Sequence, residues 1–131
     1  RFELYTLHVL MLVLRLRDEN TAQGQDAAQA VFDVYVSALD HVLREEGVGD
    51  VAVGKKMRKL GEALYGRMNA YEQPLRAGDA AALAEAMAKN VYADPQAPHA
   101  DTLARYALTT RAALAAQDFN KVLATPAWAE V

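Results

Sequence analysis

The sequence predicts an all-α fold: a single-domain bundle of about five helices with a partly irregular C-terminal tail. Three observations carry the prediction. Alanine and leucine dominate the composition, so local preference favours helix almost throughout. Proline is confined to four positions, Pro74, Pro95, Pro98 and Pro126, which leave long stretches uninterrupted. Apolar residues recur at three- and four-residue steps, the period of one helical face. At 131 residues and 53% apolar content, the chain suffices for one real core and falls short of a membrane protein.

Phe2 to Arg17 reads as the first helix. Leu4, Tyr5, Leu7, Val9, Leu10, Met11, Leu12, Val13, Leu14 and Leu16 run around its whole circumference, so it must be covered on most sides. Its run from Val9 to Leu14 is far short of the roughly 20 residues that cross a bilayer. A buried central helix is the first reading, and a helix facing an apolar client the second.

After a polar break at residues 20–25, Asp26 is expected to cap a second helix reaching Glu46, its core side formed by Ala28, Val31, Phe32, Tyr35, Leu39, Val42 and Leu43. Asp40 and Arg44 pair across one turn on the far side. Gly47 ends this helix and Gly49 loosens the connection.

A third helix starts near Asp50 or Gly54 and is expected to stop by Gln73, ahead of Pro74. Met57, Leu60, Leu64, Met68 and Tyr71 form its apolar stripe. Gly61 and Gly66 each cost about 1 kcal/mol inside a helix, which predicts a compensating close approach by a neighbour along a seam of small residues. Asp79 caps a fourth helix with Leu83, Met87 and Val91, broken at Asp94-Pro95 and Pro98. Asp101 is expected to cap a fifth, running to about Gln117. Beyond Phe119 the helical period fades, and Trp128 either anchors the tail or belongs to a segment that a partner orders.

The composition also narrows the chemistry. With no cysteine there is no disulfide framework and no thiolate site. His8, His41 and His99 are far apart and lack the spacing of metal ligands, so no metal or other cofactor is expected. Ser37, the only serine, sits mid-helix outside any nucleophile elbow. Gly47-Val48-Gly49 and Gly54-Lys55-Lys56 lack the remaining residues of nucleotide-binding loops. The residues therefore point to a binding protein without catalytic turnover.

One cluster departs from this bland picture: Lys55, Lys56, Arg58 and Lys59 place four cations in five residues of a chain with a net charge of −3. That overall charge argues against DNA binding, so an anionic partner must be met locally. If the helix starts at Gly54, the cations oppose the helix dipole at about 0.3–1 kcal/mol each; if it starts near Asp50, the penalty largely vanishes. A solvated face and a phosphate-binding patch, for RNA or anionic lipid, both fit.

Arg1-Phe2-Glu3-Leu4-Tyr5-Thr6-Leu7-His8, the stretch from Leu39 to Asp50, Val53-Gly54-Lys55-Lys56, Tyr65-Gly66-Arg67-Met68-Asn69-Ala70-Tyr71 and Asn90-Val91-Tyr92 together resemble the ubiquinol–cytochrome c chaperone family. The resemblance runs over nearly the whole chain in the family's order. It implies an assembly factor of the cytochrome bc1 complex that receives newly made cytochrome b and keeps it competent for haem insertion. It further implies work on the cytoplasmic side of the inner membrane, or the matrix side for a mitochondrial member, near the ribosome or an anionic membrane surface and beside a possible second assembly factor. Family members carry a helical segment before the Arg-Phe-Glu run, so residues 1–131 are expected to be an N-terminally truncated chaperone domain.

The partner-binding candidates are Lys55, Lys56, Arg58, Lys59 and Arg67, with Tyr65 facing a client and Tyr71 in the core. The alternative reading is a helical carrier holding a lipid, quinone or haem in a groove lined by Leu12, Leu60, Leu64 and Tyr35.

Overall fold

In a computed structural model, which describes residues 2–130, six helices follow one another: α1 (Phe2–Arg17), α2 (Ala22–Glu45), α3 (Asp50–Ala77), α4 (Ala80–Asn90), α5 (Ala100–Ala116) and α6 (Phe119–Ala124). The described residues form an all-α bundle with α1 at its centre. Half of α1 is buried, including Leu7, Leu10, Met11 and Leu14, because helices pack against it from several directions. Those four meet Tyr71 and Leu75 of α3, Leu83 and Met87 of α4, and Ala104, Ala107 and Leu114 of α5 in the main core. A smaller cluster joins Val13 and Leu16 to Ala28 of α2 and Val122 of α6.

Several boundaries differ from the sequence expectation, each for a local reason. Thr21, not Asp26, caps α2: its hydroxyl accepts from the Gly24 N–H at 3.0 Å, and the helix starts a turn earlier. α3 runs through Pro74 to Ala77: Pro74 forgoes the N–H bond to the Ala70 carbonyl, but only one turn follows it, and burial of Leu75 in the main core holds that turn. Gly78 then ends it at φ 67°, a left-handed conformation that suits glycine. Asp79 caps α4 as expected, accepting from the Ala82 N–H at 3.0 Å. His99, without a side-chain cap, precedes α5, and Asp101 lies inside its first turn.

The tail is more regular than its faded period suggested. Asp118 accepts from the Lys121 N–H at 2.9 Å and caps the short α6. The remainder docks in extended form, with the Ala129 N–H on the Thr110 hydroxyl at 3.1 Å and the Ala127 N–H on the Gln117 side-chain oxygen at 2.8 Å. Trp128 is an anchor: its ring meets His8 edge-on at 5.3 Å.

The expected packing of Gly61 and Gly66 is absent. A methyl group added at either would meet nothing within 4 Å, so no neighbour approaches that side of α3. The close approach occurs instead at Gly24, where a Cβ would lie 2.6 Å from the carbonyl oxygen of Leu16. There the start of α2 presses on the end of α1.

Two contacts locate the start of α1 on its longer neighbours. Tyr35 of α2 shares a hydrogen bond with Thr6 at 2.9 Å, and Arg67 of α3 grips Glu3. Beyond these points α2 continues for ten residues, about 15 Å. Residues 36–66 therefore extend as a two-helix arm past the α1 N-terminus, with Val53 and Leu64 its only buried residues. The apolar side of α2, expected to be core, is covered only near its start: Ala28 is buried, Leu39 and Leu43 are half-buried, and Val42 is exposed.

Candidate partner-binding site

The arm carries the cationic cluster. α3 starts at Asp50, after Gly49, so Lys55, Lys56, Arg58 and Lys59 sit in its second and third turns, clear of the orphan N–H groups. All four are exposed, and none has a carboxylate within ion-pair distance among the described residues. Val51, Arg58 and Tyr65 follow one another at seven-residue steps and share one side of α3. Lys55 and Glu62 lie close around from them, with Lys59 further round on the Lys55 side. Val51 is 78% exposed and Tyr65 62%, so apolar and aromatic surface flanks the cations at both ends.

Arg67 does not join this face. Its guanidinium donates twice to Glu3, Nε to Oε2 at 2.7 Å and Nη2 to Oε1 at 2.9 Å, and both side chains are largely covered. Glu3 stabilises the charged guanidinium further, raising its pKa. Tyr71 lies in the main core, 1% exposed, and its hydroxyl has no hydrogen-bond partner among the described residues. Burial, reinforced by the Glu3 charge, pushes that phenol up to about 12.

The opposite helix of the arm is acidic. Arg44 bridges Asp40 at 2.9 Å and Asp50 at 2.6 Å, tying the end of α2 to the start of α3, and Glu45 and Glu46 lie exposed beside the tip. The hairpin turn at Gly47 takes φ 80°. The arm thus presents a basic α3 and an acidic α2 side by side.

A cleft of about 310 Å3 opens between three helices, running from Phe32 and Tyr65 near the root of the arm to Arg17 and Gln25 at the far end of α1. Val13, Ala28, Phe32 and Met68 supply apolar lining, and Arg17, Gln25, Gln29 and Tyr65 polar lining. The Tyr65 and Phe32 rings are 6.3 Å apart. Two further clefts are lined by Asn69, Glu72, Gln73, Arg76 and Ala77 and by residues of α4 and the α4–α5 connection. Leu12, Leu60, Leu64 and Tyr35 line none of these three.

Sequence reasoning missed Val51 and the Arg17 cleft. The first was legible, because Val51 falls in phase with Arg58 and Tyr65 rather than with the apolar stripe. The second was not, since its residues come from three helices.

No group of three or more metal-ligating side chains gathers among the described residues, and no described helix is long and apolar enough to cross a membrane. His8 is committed to structure: in the neutral ring Nδ1–H donates to the Leu4 carbonyl, and Nε2 accepts from the Tyr106 hydroxyl, both at 2.7 Å.

Comparison with known proteins places this architecture. No curated protein matches the chain. The crystal structure of the Cbp3 homologue from Brucella abortus superposes with a TM-score of 0.85 at 34% sequence identity, covering 99% of this chain and 72% of that one. The profile of the ubiquinol–cytochrome C chaperone family matches residues 1–129. The chain belongs to the ubiquinol–cytochrome c chaperone family.

Proposed function

We infer that the protein is a non-enzymatic assembly factor that binds newly made cytochrome b and assists assembly of the cytochrome bc1 complex. The observation that carries this reading is the α2–α3 arm, which holds Val51 and Tyr65 in solvent on the side of α3 that carries Arg58, with four cations that have no ion-pair partner among the described residues. A surface that receives a macromolecule offers apolar or aromatic side chains together with accessible charge, and this arm carries both. Membership of the chaperone family supports the client class.

In this reading Lys55, Lys56, Arg58, Lys59 and Tyr65 meet the partner, while Arg67 supports them by fixing α3 on α1. The protein works peripherally at the cytoplasmic side of the inner membrane, where the client is made. The test is deletion of the gene in its host, with assembled bc1 complex and cytochrome b as readouts, followed by rescue with the Lys55→Glu, Lys56→Glu, Arg58→Glu, Lys59→Glu variant. Loss of complex on deletion, and failure of the reversed variant to restore it, is the expected result. Normal complex after deletion would end the reading; full rescue by the reversed variant would remove the cationic contact from it.

A further inference from the structure

We propose that the cleft between α1, α2 and α3 is an anchor site for an acidic amphipathic segment of a protein partner, with one large apolar side chain in the cleft and carboxylates along Arg58, Lys55 and Lys59. The proposal rests on the binding role assigned to the arm and names the chemistry of what it binds.

Two features coincide. The cleft, about 310 Å3, suits one large side chain or two small ones, and Val13, Ala28, Phe32 and Met68 give it an apolar part that such a side chain can cover. Arg17 at its edge is exposed and has no ion-pair partner among the described residues. Tyr65 belongs both to the cleft and to the cationic side of α3. From it, Arg58 is seven residues away, about 10 Å along the helix, and Lys55 ten residues, about 15 Å. A partner helix of roughly four turns laid along α3 therefore reaches from the cleft to Lys55, the groove mode of helix recognition.

The neighbouring charges select a peptide over a continuous polyanion. The Gln29 amide donates to Asp33 at 2.8 Å, which fixes a carboxylate beside the cleft mouth. Asp40 lies two turns further along the same side of α2, and Glu62 interrupts the cations of α3. An RNA strand or an anionic bilayer would set negative charge against all three. A peptide places carboxylates only where Lys55, Arg58, Lys59 and Arg17 await them, and leaves neutral or basic residues opposite Asp33 and Asp40.

The test uses three synthetic helical peptides of about 16 residues: one with a single tryptophan and three glutamates on one face, one with those glutamates replaced by lysine, and one with the tryptophan replaced by alanine. Binding to the full chain is followed by calorimetry. The first peptide is expected to bind about tenfold tighter than either of the others. Arg17→Glu and Tyr65→Ala, both at exposed positions, should each abolish most of that preference without changing the helical circular dichroism. Equal binding of all three peptides, absence of binding, or tighter binding of an RNA oligonucleotide or of vesicles containing anionic lipid would overturn the proposal. Loss of bc1 complex on gene deletion would still stand in that case, so failure of the anchor is distinguishable from failure of the chaperone reading.

Discussion

Arg67 and Glu3 form a two-pronged ion pair, 2.7 and 2.9 Å, that fastens the first turn of α1 to the middle of α3 at the root of the arm. With both partners largely covered, the planar guanidinium fork matches the carboxylate in a way a lysine ammonium does not. Arg67→Ala is expected to lower stability by about 2 kcal/mol and Arg67→Lys by at least half of that, as read by chemical denaturation. A double-mutant cycle with Glu3→Gln should return most of the loss as coupling. Additive single effects would show that the pair does not hold the arm in place.

Glycines on helices of this chain divide into two kinds. At Gly24 an alanine methyl would meet the Leu16 carbonyl at 2.6 Å and Glu19 Cβ at 2.9 Å, so Gly24→Ala should cost about 1–3 kcal/mol by forcing α2 off α1. At Gly61 and Gly66 the same change meets nothing, and helix propensity alone predicts a gain of about 0.5–1 kcal/mol for each. Thermal unfolding of the three variants checks both signs.

Asp18 links three helices at the end of the bundle opposite the arm, accepting from Arg76 of α3 and Arg111 of α5, both at 2.8 Å. Burial pushes its carboxyl up, but hydrogen bonds from Arg111 and Arg76 outweigh that and hold it below the ordinary value. A depressed folded-state pKa means stability that is present above the unfolded pKa, about 3.9, and lost as pH falls through the lower folded value. Asp18→Asn should therefore destabilise the protein by on the order of 1 kcal/mol at pH 7, after allowance for solvent screening. The gap to the parent should close in denaturation curves measured below pH 3–4.

Tyr71 carries the main core's unsatisfied hydroxyl. Asn90 lies beside it, its amide nitrogen donating to the Ala86 carbonyl at 2.8 Å, but it does not reach hydrogen-bond geometry with the phenol. Tyr71→Phe removes the orphan group and keeps the ring, so it should be neutral or stabilising by up to about 1 kcal/mol. With its phenol pushed up to about 12, the parent should lose stability as pH rises from the unfolded value near 10 towards 12. Matched alkaline denaturation profiles for the parent and Tyr71→Phe test this: the difference between the two should stay constant below pH 10 and widen in favour of the variant above it.

The all-α class, the five long helices and the Asp79 cap were legible because each rests on short-range chemistry: propensity, 3.6-residue periodicity and a side chain capping its own helix. Local signals failed where two of them competed. Asp26 is a reasonable cap, but Thr21 lies earlier and takes the Gly24 N–H; Pro74 is a reasonable stop, but one turn from a helix end it is tolerated. At the candidate site, the cationic cluster stands in plain view, because Lys55, Lys56, Arg58 and Lys59 are contiguous.

The sequence by itself determined that the chain is helical, that α1 must be central and that positive charge is concentrated at one point on α3, since all three follow from residues near one another. Only the tertiary structure decided which apolar residues stay wet. The period places Leu39, Val42 and Leu43 on one side of α2, yet Leu39 and Leu43 are half-buried and Val42 is exposed, because a helix face is buried only where a neighbour reaches it. The same holds for Arg67, drawn from the cationic set by Glu3 sixty-four positions away, and for the Arg17 cleft, which exists only because three helices diverge there.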